Sequence, residues 1–154
     1  MQQAFNKMKK MLLWILFLGY LAVMFLLLFD RVSVQPDNYW EQVRQNLNLE
    51  SLRTIKMYLR ALHTNQSPGR MNAIFNLGGN IILFAPIGIF LPLLFKKMNR
   101  VWCFFGVVIL AILLVELVQL FTLLGRCDID DLILNVFGAG LGFVTLFVFK
   151  KIRK

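Results

Sequence analysis

Glu116 and Gln119 stand inside an otherwise apolar run, and Arg126, Asp128, Asp130 and Asp131 follow just beyond its end. A carboxyl and an amide at i and i+3 share one helix face, so the first pair presents an acid and a hydrogen-bonding group to the same space. A carboxyl can act as general acid or base, and neighbouring Asp side chains can position a cation or a polar headgroup. Arginine, always charged, can hold an anion or the Asp side chains themselves. Downstream, Asp131, Asn135, Gly138 and Gly142 recur at spacings of four, three and four, a single helical stripe. Upstream, Asn76 and Asn80 open another apolar run.

Familiar reaction centres are missing. The chain carries no Ser/His, Cys/His or HExxH arrangement, no P-loop and no dinucleotide fingerprint. His63 has no second ligand at metal spacing and reads as a surface residue; no metal and no cofactor is expected. Cys103 and Cys127 fall near opposite ends of one apolar run, roughly 36 Å apart if helical. That is far beyond disulfide reach, and neither has the spacing of a metal or redox motif.

These residues sit in apolar elements that must position them. The 154 residues are 58% hydrophobic and 16% charged, with a net charge of +9. A basic nucleic-acid binder spreads Lys and Arg over a water-soluble face; here they sit at the edges of apolar blocks, so no nucleic-acid partner is expected. Four blocks approach the length that crosses a bilayer, about 20 residues: 11–29, 77–95 (beginning as early as Met71), 101–124 and 132–149. The expectation is all-α, one domain over 1–154: an integral membrane bundle of four transmembrane helices. The first block is too long for a signal peptide, and Asp30-Arg31 follow it where a cleavage site would lie, so it reads as an anchor.

Cations set the orientation. Lys7, Lys9 and Lys10 precede the first helix; Lys96, Lys97 and Arg100 join the second to the third; Lys150, Lys151, Arg153 and Lys154 end the chain. The positive-inside rule places these segments, and both termini, in the cytoplasm. The loop 30–76 and the connection Gly125 to Asp131 then lie outside. Within that loop Leu52, Ile55, Leu59 and Leu62 recur at helical spacing, with Arg53, Lys56, Arg60 and His63 on other faces. A short amphipathic helix follows, which either lies on the outer headgroups or covers the bundle. Gln35-Pro36-Asp37-Asn38 and Asn65-Gln66-Ser67-Pro68-Gly69 read as turns.

With these directions, Asn80, Glu116, Gln119, Arg126, Asp128, Asp131 and Asn135 converge in one layer toward the outer leaflet, as a ligand-binding pocket. Gly138 and Gly142 form a small-xxx-small pattern that permits close helix approach. Gly78-Gly79 and Pro86 are expected to break the second helix, tolerated only where protein or a watery cavity satisfies the freed groups. Asn80, Gln119 and Asn135 also suit interhelical hydrogen bonds, and Asp128 or Asp131 suits a cap of the fourth helix. Glu116 resists a purely structural role, because a carboxyl inside a bilayer is costly. Arg126 lies roughly 15 Å of helix from Glu116, so a contact between them would need the connection to fold back.

"NLGGNIILFAPIGIFLPLL", "VELVQLF" and "RCDIDDLILNVFGAGLG" resemble the VanZ-like family of bacterial membrane proteins, founded by a teicoplanin-resistance protein. The resemblance covers Asn80, Phe84, Pro86 and Gly88, then Glu116 and Gln119, then Arg126, Asp128, Asp131, Asn135, Gly138 and Gly142. Upstream, "NLESLRTI" is similar to the family's Asn-Leu-x-Pro-Phe-x-Thr-Ile, with Ser51 where Pro is usual. The resemblance implies a multi-pass protein of the bacterial plasma membrane that affects glycopeptide (teicoplanin-class) susceptibility. The expected partner is a membrane lipid or lipid-linked wall component, and a homo-oligomer is left open. The lack of a familiar catalytic set favours a non-catalytic envelope factor. The alternative is a small intramembrane enzyme acting on a lipid headgroup, with Glu116 as general acid or base; an ion- or proton-coupled transporter is a third class.

Overall fold

The computed structural model describes residues 2–29, 37–50, 52–63 and 67–153. In chain order they form α1 (Gln2–Phe29), α2 (Tyr39–Gln45), β1 (Leu47–Asn48), α3 (Arg53–His63), α4 (Ser67–Leu94), a 3-10 turn (Lys96–Asn99), α5 (Val101–Thr122), β2 (Cys127–Asp128) and α6 (Ile129–Ile152). Four of the helices contain stretches long and apolar enough to cross a membrane: Lys7–Phe29, Gly69–Leu94, Val101–Thr122 and Ile129–Ile152. Their outward faces are apolar too, with Leu26, Ile82 and Trp102 all exposed, the arrangement of a chain whose surroundings are hydrocarbon. In such surroundings every backbone group must be satisfied within its own segment, which selects helix. This is a multi-pass membrane protein, and its described residues are all-α apart from one ladder of two-residue strands.

α4 and α6 run parallel and touch along their backbones. A side chain at Gly138 would strike the Ile81 carbonyl, one at Gly142 the Ala85 carbonyl, and one at Gly88 the main chain of Ala139 and Phe143. The glycine stripe of α6 therefore faces α4, and Gly88 answers it from the other side. Between the helices lies a core of Met24, Phe84, Phe104, Val108, Ile112, Ala139 and Phe143. α1 leans on α4 through Phe17 and Tyr20, whose rings meet Phe90, and the Tyr20 hydroxyl donates to the Leu83 carbonyl at 2.6 Å.

The cationic segments gather at one end of this bundle. The Trp14 ring meets Phe95 near the foot of α4, and Lys150 Nζ reaches Asn99 Oδ1 at 3.3 Å. The connection between α5 and α6 lies at the opposite end, beneath α2 and α3.

Several boundaries differ from expectation. α4 begins at Ser67, not near residue 77, and Ser67-Pro68-Gly69 form its first turn instead of a loop; proline is tolerated there because a first-turn N–H has no helical acceptor to lose. Asn65, Gln66 and the residues 30–36 lie outside the described residues. α4 is also continuous through Gly78-Gly79 and Pro86. Pro86 removes only the bond to the Ile82 carbonyl, and hydrocarbon offers the other groups no partner outside the helix. α5 stops at Thr122 because Leu123 adopts the left-handed conformation, φ 56°. α6 starts at Ile129, earlier than expected, because Asp128 caps it.

Candidate functional site

The site is assembled around the turn between α5 and α6. Leu123 reverses the chain, and the Gly125 N–H donates to the Gln119 carbonyl at 3.2 Å. Gly125 packs so closely on Gln119 that a Cβ would lie 3.0 Å from the Gln119 Cβ. The connection thus folds back over the end of α5. It brings to Glu116 the Asp128 amide and not Arg126: the Asp128 N–H donates to Glu116 Oε2 at 3.3 Å, while Arg126 stays exposed at the rim.

Asp128 works in two directions. Its Oδ1 accepts the Asp130 N–H at 2.9 Å and caps α6. Its Oδ2 accepts from Asn48 Nδ2 at 3.0 Å and from Thr54 Oγ1 at 2.8 Å. Asp130, fully buried, points to α3 and accepts the Leu52 N–H at 2.5 Å and the Ile55 N–H at 3.1 Å. Leu52 has no side-chain oxygen with which to cap α3, so the cap comes from another helix. The main chains join as well. Cys127 N–H donates to the Asn46 carbonyl at 3.0 Å, and β1 pairs with β2 in parallel, Leu47 with Cys127 and Asn48 with Asp128. α2, capped by Asn38, is pinned by the Tyr39 hydroxyl on the Phe121 carbonyl at 2.7 Å. The segment α2–β1–α3 is a clamp fastened over the α5–α6 turn.

Of the two placements open to α3, the structure shows the covering one. Ile55, Tyr58, Ala61 and Leu62 are half-buried against the bundle, while Leu52 and Leu59, expected on the same face as Ile55 and Leu62, are exposed. The helix is rotated because Asp130 and Asp128 seize its first turn at Ile55 and Thr54.

Beneath the clamp is a cavity of about 610 Å³. Asn80, Glu116, Gln119, Arg126, Asp128, Asp131 and Asn135 all line it, joined by Asn48, Arg53, Thr54, Tyr58 and Asn76 from the clamp and the head of α4. Further cross-helix bonds tie the lining together: Gln119 Nε2 donates to the Leu28 carbonyl of α1 at 2.8 Å, and Asn80 Nδ2 donates to Asp131 Oδ1 at 2.8 Å. Glu116, Gln119, Asp128 and Asn135 are buried. Asn135 Oδ1 is buried with no hydrogen-bond partner, although buried acceptors are nearly always satisfied. Cys127, outside the spans, has its thiol pKa raised by burial and by the nearby carboxylates of Glu116 and Asp128. Among the described residues no group of three or more His, Cys, Asp or Glu is placed to hold a metal ion.

Asp130 was visible in the sequence but had no partner there, since its contacts lie in a loop distant along the chain. Asn48 and Thr54 carried a signal: they are the two polar side chains of "NLESLRTI" that match the family pattern outright. Ser51, where that stretch departs from it, lies outside the described residues.

The family model described as VanZ/LLP1 matches residues 17–150. The chain belongs to the VanZ/LLP1 family. The matched region takes in the clamp, the cavity and the parallel α4–α6 pair together. No curated protein and no solved structure matches the chain.

Proposed function

We propose that this VanZ/LLP1 protein binds the polar headgroup of a lipid or lipid-linked wall component in the cavity beneath the clamp, and through it alters glycopeptide susceptibility. The observation that carries the reading is the cavity's position. Glu116 lies six residues, about 9 Å, short of the end of α5, the depth at which headgroups give way to acyl chains. A polar cavity there meets a headgroup without drawing it into hydrocarbon. In this reading the cationic end faces the cytoplasm by the positive-inside rule, both termini are cytoplasmic, and the cavity serves the outer leaflet of a bacterial plasma membrane.

The test is teicoplanin susceptibility of a bacterial host expressing the wild type, Glu116→Gln or Arg126→Ala, with membrane abundance measured in parallel. Loss of the resistance change at normal abundance is the expected result. Loss that merely tracks abundance would make these residues packing groups, and unchanged resistance in both variants would remove the site. Lipid profiling of the same cells separates binding from catalysis: a lipid species that appears with the wild type and vanishes with Glu116→Gln would make the protein an enzyme.

A further inference from the structure

The clamp end of the molecule sorts its charges. Residues 37–76 and 125–131 carry six cations and six acids. Three of the acids are drawn inward: Asp128 and Asp130 are buried and Asp131 is half-buried, held by the α6 cap, the first turn of α3 and Asn80. All six cations, Arg44, Arg53, Lys56, Arg60, Arg70 and Arg126, are exposed, against only Asp37, Glu41 and Glu50. Folding thus turns a balanced stretch of chain into a cationic surface. Glu50 answers Arg53, but Arg44 and Lys56 form no ion pair with any described residue.

Two hydrogen bonds fix the depth of these free cations. The Tyr39 hydroxyl donates to the Phe121 carbonyl at 2.7 Å, so Trp40 stands level with the end of α5, and Arg44 shares its face of α2 four residues on. The Ile55 N–H donates to Asp130 Oδ2 at 3.1 Å, so Lys56 stands level with the first turn of α6. That is where hydrocarbon gives way to phosphate, the depth at which Trp and Tyr settle; Trp14 and Trp102 occupy the opposite end of the bundle. Trp40 and Leu49 are each 65% exposed and Met57, next to Lys56, is 55% exposed. A roof facing only water has no use for these apolar groups, and one facing only hydrocarbon has none for Arg44 and Lys56. Covering the cavity occupies one face of α3 and leaves the other open.

We propose that the outer face of the clamp docks on anionic phospholipid in the leaflet at its end of the bundle, with headgroups of the phosphatidylglycerol type at Arg44 and Lys56 and with Trp40 seated beneath them. A zwitterionic lipid brings its own cation to a surface that already has an excess. A water-borne polyanion would meet the cations but leave Trp40 and Leu49 in water. The face is separate from the cavity, whose lining includes neither Arg44 nor Lys56, so it stands or falls independently of what the cavity binds.

Trp14→Phe and Trp102→Phe leave Trp40 as the single tryptophan of the chain and make it a local probe. The full-length protein is placed in nanodiscs of equal phosphatidylglycerol and phosphatidylcholine, with bromine on the acyl chains of one lipid or of the other, and Trp40 fluorescence is read. Both brominated lipids should quench, and brominated phosphatidylglycerol should do so at least about twofold more efficiently, since one exposed ion pair shifts an equilibrium by about 1.4- to 5-fold. Arg44→Gln combined with Lys56→Gln should remove the preference and leave the quenching. Salt at about 1 M, where the screening length is about 3 Å, should do the same with the native cations in place. Thermal unfolding checks that the substituted chain keeps its fold, and the salt arm needs no substitution there. Equal quenching by the two lipids at low salt, or a preference that outlasts either the substitutions or the salt, overturns the proposal. A Trp40 quenched by neither lipid lies in water and also overturns it; a shift of its emission on adding long-chain polyphosphate would then assign the face to a water-borne polyanion.

Discussion

Asp130→Asn should loosen α3 while leaving the membrane bundle intact. The native carboxylate accepts two backbone N–H groups from the first turn of α3, at 2.5 and 3.1 Å, and it is fully buried. The amide keeps nearly the same volume but has one acceptor oxygen and turns its NH2 toward the second donor. One charge-assisted bond is lost outright, worth about 1.5–3 kcal/mol, and the one that survives becomes neutral. The favourable placement of a negative charge at a helix N-terminus, about 0.3–1 kcal/mol, goes as well. The sum is about 2–4 kcal/mol of local stability. An 11-residue helix is marginal without its fastenings, so this loss should appear as opening of α3. Amide hydrogen exchange in nanodiscs reads it directly: exchange over Lys56–Leu62 should speed by about 30- to 700-fold, at about 1.4 kcal/mol per tenfold. Amides of α4 and α6 should be unchanged. Unaltered exchange in α3, or exchange that rises equally throughout the bundle, would refute the idea that Asp130 fastens the clamp.

Other substitutions probe the remaining contacts. Thr54→Val keeps the shape but removes the donor to Asp128 at 2.8 Å; the clamp should lose about 1.5–3 kcal/mol, seen as faster proteolysis between α1 and α4. Gly142→Ala places a methyl group on the Ala85 carbonyl and should lower bundle stability by about 1–3 kcal/mol. Gly106→Ala, with open space around it, should be neutral or stabilise by up to about 1 kcal/mol, and thermal unfolding in detergent compares the pair. An impermeant maleimide on intact cells should label Cys127 and not Cys103 if the proposed orientation holds. Because the Cys127 thiol pKa is raised, its thiolate is scarce at neutral pH, so labelling should be slow there and speed up as pH rises. Removing one cause with Glu116→Gln should lower the pKa and hasten labelling at neutral pH.

Much of this architecture was legible from residue type and period. Four apolar runs declare four spans, and the stripe Asp131, Asn135, Gly138 and Gly142 points to one face, which the structure turns against α4. The helix ends were less legible. α6 begins three residues before the expected position, because an N-cap is an interaction and not a hydropathy step, and Asp128 and Asp131 were equally eligible for it. The clamp was least legible. Its fastenings join residues 74 to 82 positions apart, and no local pattern records that Asp130 will cap a helix far upstream. The periodicity of α3 foretold a helix but gave the wrong inward face, because hydrogen bonds at Thr54 and Ile55 outweighed the burial of Leu59.

The clamp also dictates an order of construction. During synthesis α1 and the segment that becomes α2, β1 and α3 emerge long before Cys127, Asp128 and Asp130, the residues that fasten them. Until α6 is inserted, α3 lacks its cap and β1 its partner strand, so that stretch of chain waits with its amides in water. Contacts this distant along the chain form late, since their loop-closure entropy must be met before they reward it. A chain that ends after α5 therefore has this segment unfastened, whereas the finished chain holds it at Leu52, Thr54 and Ile55. Seating of the last helix therefore fastens the clamp and roofs the cavity in one step.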